Sequence, residues 1–441
     1  MVGGCQTIKA PLRSQKHNAE PWVLSPCGSN SCNVVSVLLL RSLAAVFHRR
    51  AGGVVDASSR DGRTVNEAAH AVLVVNVGSS SCKISLARGR DVQQIDTGAD
   101  SALEWTAPRW QDFTKTQGGF TPEFVLHRFV HSGGVFAGPT RIDAAVRANL
   151  EGLTSLAPLH TKNALKIVDT VAAAFPLSTG IACFDTTFHE TLPQAAFTYA
   201  IPSAWREGHG IRKYGFHGFA HDYADTRARE ILGQSPVSKV LSCHLGSGAS
   251  LAAIIDGVSF DTTMGFTPVD GLVMATRPGS VDPGALAWLL VNTSLRPSEM
   301  AHLLEHSSGL TGIAGHGDMK LIMTAAGKGD PEAVLAYEVW LHRLVGEMGR
   351  MIAVMGGVDL IVFGGGIGNH AWQARSDAVA ALGFLNARID PDTNRTAHED
   401  MLISTHDSAV ATVVLEARED IAMLRSAGAA GALQESQSKE Q

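Results

Sequence analysis

The chain has 441 residues, 45% of them hydrophobic and 18% charged, with 45 glycines and a formal net charge of −6. This composition describes a soluble globular protein with many tight turns, long enough for two domains. It gives no electrostatic case for a nucleic-acid partner, and no apolar run reaches the ~20 residues of a membrane-spanning helix, so neither nucleic acid nor membrane is expected as a partner.

The first seventy residues differ from the rest. The first fifty carry Lys9, Arg13, Lys16, Arg41, Arg49 and Arg50 against a single acid, Glu20, and include the short apolar patch "NVVSVLLLRSLAAVF". A transit or export signal is one reading; the preferred one is a disordered extension over residues 1–70 or an overlong start.

From residue 71 strand-like and helix-like segments alternate. "AVLVVNV" and "CKISLA" read as strands around the turn Gly78-Ser79-Ser80-Ser81-Cys82-Lys83. This turn is not a P-loop, which needs a second glycine before the lysine and a helix after it. A plain hairpin is the bland alternative to a phosphate loop. "FVLHRFVH" is a further strand, "NALKIVDTVAAAF" has helical apolar spacing, and "GIACFD" is a short buried strand ending on Asp185.

The segment "KVLSCHLGSGASLAAIIDGVSFDT" then repeats the opening layout of strand, Gly-Ser turn and strand. Asn76-Val77-Gly78 and His244-Leu245-Gly246 each place a polar residue at a strand end, then an apolar residue, a glycine and small residues. A third glycine turn sits in "LIVFGGGIGNH", and backbone N–H groups of such turns can converge on phosphate oxygens. The repetition predicts two similar α/β domains across a cleft. The final residues, 433–441, read as a disordered tail. The six cysteines lack zinc-ligand spacing and are expected to be free thiols in a reducing compartment.

Polar residues interrupt otherwise apolar strings: His127, Arg128 and His131, then His160, Asp185, His189, His217, His221 and Arg277. Each alone has a structural reading as a salt-bridge partner, a hydrogen-bonded core histidine or a helix cap. Together they supply what phosphoryl transfer needs: cations for the equatorial oxygens, a carboxylate, and glycine turns for nucleotide phosphates. The sequence carries no G-x-S-x-G or Cys-His nucleophile arrangement.

Across residues 71–425 the chain resembles the acetate kinases, members of the acetate and sugar kinase, Hsp70 and actin superfamily. The strings that carry the resemblance are "VLVVNVGSSSCKISL", "HRFVHSGG", "LAPLH", "CFDTTFHETLP", "IRKYGFHG", "CHLGSGAS", "DTTMGFTPVDGLVMATRPGSVDP", "SGLTGIAG" and "MGGVDLIVFGGGIG". The resemblance implies two actin-like (ribonuclease H-like) domains with a duplicated core and an interdomain cleft. Domain I would comprise 71–186 plus 417–432, and domain II, with the nucleotide site, 187–416. It implies reversible transfer of the ATP γ-phosphoryl group to acetate, giving acetyl phosphate and ADP, with Mg²⁺ or Mn²⁺. Propionate or butyrate kinase activity and a degenerate nucleotide-binding regulator are the alternatives.

By the same resemblance Asp185, Arg128, Arg277, His217 and His160 are the catalytic set. Asn76 and Glu419 match the metal site, while Arg128, Val130, Leu159, Phe216 and Pro268 match the acyl-substrate pocket. Val130, two residues after Arg128, would share its face of a strand. The nucleotide would lie along Lys83, His244, Leu245, Gly246, Ser247 and Gly248, then Asp318, Met319 and Lys320, then Gly364, Gly365, Gly366, Ile367 and Gly368. Departures from the family pattern are Ser247 for Asn, Lys320 for Arg, Asn369-His370 for Glu-Asn, "HTKN" after Leu159, and a shortened stretch between Lys83 and His127. The resemblance also implies a homodimer, and a cytoplasmic location is expected.

Overall fold

A computed structural model describes residues 70–78, 82–95, 104–398 and 400–434, with the backbone alone for 155, 158 and 159. Residues 1–69 of the expected extension (1–70), the serines of the first turn (79–81) and residues 435–441 of the expected tail (433–441) lie outside the described residues; His70 is hydrogen-bonded to Glu123 and Leu433 packs on the core of the first sheet.

Two six-stranded sheets are built on one plan. The first contains β1 (Ala71–Val77), β2 (Cys82–Arg88), β3 (Asp91–Ile95), β4 (Phe124–Phe129), β5 (Thr140–Arg141) and β6 (Thr179–Phe184), in the order β3-β2-β1-β4-β6-β5. The second contains β7 (Lys239–Leu245), β8 (Ala249–Ile255), β9 (Val258–Thr262), β10 (Leu360–Gly364), β11 (Met401–Leu402) and β12 (Ala411–Val414), in the order β11-β12-β10-β7-β8-β9. In each sheet the leading hairpin is antiparallel and the next two strands join it in parallel. The repeated Gly-turn layout of the sequence therefore corresponds to a repeated sheet.

The central strands are apolar at nearly every position because both faces are covered. Successive β1 side chains alternate between faces. Leu73 and Val75 meet Ile167 and Val171 of helix Pro158–Ala174 on one side. Val72 and Val74 meet Ala422, Met423 and Ala427 of helix Glu419–Ala429 on the other. Ser85 also donates to Asp420 at 2.8 Å, so the C-terminal helix is tied into the first sheet.

On the second sheet, helix Pro331–Met355 covers Leu241, Cys243, Ile361 and Phe363 with Trp340, Leu344, Met348 and Met351. Pro331 opens this helix behind an Asp330 cap, and Gly356, at φ 67°, ends it. Helix Gly218–Leu232 stands at the joint. Its Phe219 and Tyr223 pack with the first sheet's core, its Ala224 and Ala228 with Val240 and Ala252 of the second. Among the described residues Cys82, Cys183 and Cys243 are free and buried.

Candidate active site

A cleft of about 1430 Å³ collects side chains from both sheets. From the first come Asn76, Lys83, Arg128, Val130, His160 and Asp185, together with Glu419 of the C-terminal helix. From the second come His244, Gly246, Ser247 and Gly248, Arg277, Asp318 to Lys320, and Gly365 to Ile367.

Arg128 is the centre of the first group. It leaves the end of β4 and donates from Nε and Nη2 to the two Asp185 oxygens, at 2.8 and 2.5 Å. Its Nη1 donates to Asn76 Oδ1 at 2.9 Å, and the Asn76 amide donates to Glu419 at 2.5 Å. Parallel pairing of β4 with β6 places Arg128 beside Cys183, which brings Asp185, just past the end of β6, within reach of the guanidinium. Burial works against the Arg128 charge, yet Asp185 and Glu419 hold its pKa above the usual value. Burial would likewise raise Glu419, but Arg128, then His244, Asn76 and Lys83, bring it down to about 2. Burial pushes Asp185 up against the pull of Arg128.

The other arginine is held differently. Arg277 donates to the Pro268 carbonyl at 3.2 Å and lies 3.8 Å from Met274 Sδ. No carboxylate lies within ion-pair distance of it among the described residues, and burial lowers its pKa. A part-buried cation without a counterion is matched by an anion entering the cleft.

Two glycines bring the halves together. A Cβ on Gly218 would sit 2.1 Å from the Asp185 carbonyl oxygen, so only glycine lets helix Gly218–Leu232 start against β6. That approach sets His217, in the left-handed region at φ 56°, beside the site. A Cβ on Gly248 would lie 3.4 Å from both Arg277 Nη1 and His217 Nε2, so the second glycine turn is flanked by these two groups.

The sequence-derived candidates distribute as follows. Asn76, Lys83, Arg128, Val130, His160, Asp185, Phe216, His217, Pro268, Arg277 and Glu419 reach the same cleft, as do the second and third glycine turns. β4 ends at Phe129, so Val130 lies just beyond the strand, yet it lines the cleft beside Arg128. The side chain of Leu159 is outside the described residues. Leu245 is buried in the second core, and Gly364 and Gly368 stand behind the cleft wall, where the Gly368 carbonyl accepts from the buried Arg375. Asp318 caps helix Met319–Ala326 by accepting from the backbone of Lys320 and Leu321. Trp372, His398 and Glu416 also line the cleft and were not legible as site residues, since none sits in a Gly-turn string.

The cleft suits a nucleotide and a hard cation. Asn369 lines it with a buried Oδ1 that has no partner. Asn76, Asp185 and Glu419 provide oxygen donors, but among the described residues no three His, Cys, Asp or Glu converge as an all-protein cage. One or two carboxylates completed by phosphate oxygens is the coordination Mg²⁺ favours.

Burial also depresses several histidines, to about 3 for His127 and about 4 for His131, His160 and His189. A folded pKa below the unfolded value near 6.5 gives stability that is present above pH 6.5 and lost as pH falls towards 4. Between pH 7 and 5 we expect a loss on the order of 5 kcal/mol. Denaturant midpoints measured at both values test this; equal midpoints would refute neutral burial of these rings.

Two duplicated α/β halves facing a glycine-turn cleft that holds an unpaired arginine define a phosphotransferase of the actin-like fold. The acetokinase family model matches residues 99–425, and the chain belongs to that family. It is 42% identical over 303 residues to an acetate kinase of Nostoc punctiforme, covering 68% of this chain and 75% of that protein. It is 36% identical over 384 residues to one of Bacteroides fragilis, covering 79% and 96%. Among solved structures, a propionate kinase from Francisella tularensis superimposes with a TM-score of 0.72 at 32% identity, covering 80% of this chain and 98% of that one. An acetate kinase from Porphyromonas gingivalis gives 0.72 at 31% identity, covering 81% and 98%. No helix among the described residues is long and apolar enough to cross a membrane.

Proposed function

We propose that the chain catalyses reversible, Mg²⁺-dependent transfer of the ATP γ-phosphoryl group to acetate, giving acetyl phosphate and ADP. The observation that carries this reading is the unpaired Arg277 set against Gly248 and His217, opposite the clamped Arg128–Asp185 pair. An acetate oxygen attacks the γ-phosphorus, and the bond to the β–γ bridging oxygen breaks to release ADP. A carboxylate is already a competent nucleophile at neutral pH, so the protein supplies positioning and charge neutralisation rather than a strong base. Arg277 takes the equatorial oxygens in a planar fork, Arg128 contributes its fixed positive charge, and His160 and His217, both neutral at pH 7, donate hydrogen bonds. Bound Mg²⁺ would neutralise charge on the β- and γ-phosphates, with Glu419 and Asn76 as its protein anchors and Asp185 nearby.

Acyl phosphate formation from ATP with acetate, propionate and butyrate tests the reaction; no product with any of them would leave only a nucleotide-binding role. The likeness to a propionate kinase keeps the longer acid as the second reading. With Val130, Phe216 and Pro268 closing the methyl end, acetate should exceed propionate in kcat/KM, by the ~1–3 kcal/mol typical of one methylene. Val130→Ala should shift that ratio towards propionate, mainly through KM. An unchanged ratio with lowered stability would make Val130 ordinary core.

The two-domain division at 186/187 and 416/417 belongs to this proposal, supported by strands of the first sheet ending at Phe184 and of the second at Val414. So does a homodimer. Helix Pro283–Asn292 buries none of its residues, and Trp288 and Val291 are 61% and 81% exposed, an apolar face that a second copy would cover. Sedimentation velocity distinguishes the dimer from a monomer. The buried free cysteines support a reducing, cytoplasmic location, which fractionation of the source cells would check.

A further inference from the structure

Behind His217 runs a hydrogen-bonded chain that contains no carboxylate. His217 Nδ1 lies 2.9 Å from Ser250 Oγ, Ser250 Oγ lies 2.8 Å from His221 Nε2, and His221 Nδ1 lies 2.8 Å from Ser242 Oγ. The local sequence explains the alignment. His217 occupies the position just before helix Gly218–Leu232 and His221 follows one turn later, so both side chains fall on one side of the helix. Ser242 and His244 alternate along β7, and Ser250 of β8 is paired with His244, so both serines point from the same sheet face towards that helix. His221, Ser242 and Ser250 are at most 1% exposed.

The protons in such a chain can be ordered in two directions. In one, His217 donates from Nδ1 to Ser250, Ser250 to His221 Nε2, and His221 from Nδ1 to Ser242. The Ser242 hydroxyl proton is then left in the core, and no second partner for it exists among the described residues. A buried donor without an acceptor is costly. In the other direction Ser242 donates to His221 Nδ1, His221 Nε2–H to Ser250, and Ser250 to His217 Nδ1. Every buried proton is then used, and the one outward donor is His217 Nε2–H. That nitrogen lies beside Gly248 and Arg277, facing the cleft.

We infer that Ser250, His221 and Ser242 form a one-way relay that fixes His217 as the Nε2–H tautomer, presenting a neutral donor to the phosphoryl group. The assignment of that donor's target rests on the phosphotransfer reading; the tautomer itself does not. Ser250, His221 and Ser242 are positioning residues, acting through His217.

The test combines a spectrum with kinetics. Long-range ¹H–¹⁵N spectra of the ¹⁵N-histidine-labelled full chain, with the His217 signals identified by their loss in His217→Asn, should show Nε2 protonated and Nδ1 bare. Ser250→Ala should lower kcat about 10–100-fold, the usual scale for losing such an outer partner, with KM for ATP and acetate within about twofold. Ser250→Thr, which restores the hydroxyl, should recover most of the loss. A protonated Nδ1 in the wild-type protein overturns the relay, as does a folded Ser250→Ala with wild-type kcat. If Ser250→Ala fails to fold, the wild-type spectrum still decides. Absence of acyl phosphate production by the wild-type protein would instead sink the phosphotransfer reading and leave the tautomer to stand or fall on the spectrum.

Discussion

Arg277→Ala should lower kcat on the order of 10³-fold while leaving the protein folded, by comparison with arginines that stabilise phosphoryl transfer elsewhere. Among the described residues its guanidinium has no carboxylate within ion-pair distance, only the Pro268 carbonyl and the Met274 sulfur as contacts, so truncation removes a cation without breaking an ion pair. Arg277→Lys should rescue only in part, since an ammonium cannot bond two equatorial oxygens in a fixed plane. Steady-state kinetics with a thermal melt on the same sample checks both halves. A near-wild-type kcat in Arg277→Ala would sink its role at the phosphoryl group.

Arg128→Ala should be equally slow but should also be unstable. Removing it leaves Asp185 and Glu419 buried without their cation, and breaking a buried pair from one side typically costs about 3–5 kcal/mol. The two arginines, indistinguishable as one-letter codes in apolar strings, should therefore separate in a urea titration. Equal stability of Arg128→Ala and the wild-type protein would mean that the Asp185 clamp is not structural. Asp185→Asn should fall between them, retaining shape while losing charge.

Much of the architecture is legible in the sequence, for an identifiable physical reason. The shared layout of Asn76-Val77-Gly78 and His244-Leu245-Gly246 reflects two hairpins with the same turn requirement, and these open two sheets of the same strand order. What the sequence conceals are partnerships across distance. Arg128 and Asp185 are 57 positions apart, and nothing local distinguishes an arginine clamped by a carboxylate from one awaiting an anion. Ser242 and Ser250 look like small polar residues of a strand, and become informative only when the β7–β8 register turns them towards His217 and His221. Arg375, fully buried and bonded to Asn394 and to the carbonyls of Gly368 and Asn369, would be read as a surface residue from its helix alone. The end of β4 at Phe129 likewise depends on tertiary pairing, since the apolar pattern continues through Val130.

The attachment of helix Glu419–Ala429 to the first sheet has a consequence for the order of events on the ribosome. Asn76 leaves the exit tunnel early, yet its partner Glu419 is 343 positions downstream, and Val72 and Val74 wait as long for Ala422 and Met423. Part of one face of the first sheet therefore stays uncovered until helix Glu419–Ala429 has been made, whereas the second sheet can begin to close on Pro331–Met355 beforehand. A nascent chain stalled before residue 419 would carry the glycine turns and both arginines but not Glu419. It could not close the Arg128–Asn76–Glu419 cluster, so that corner of the cleft forms only once helix Glu419–Ala429 has been made and docked.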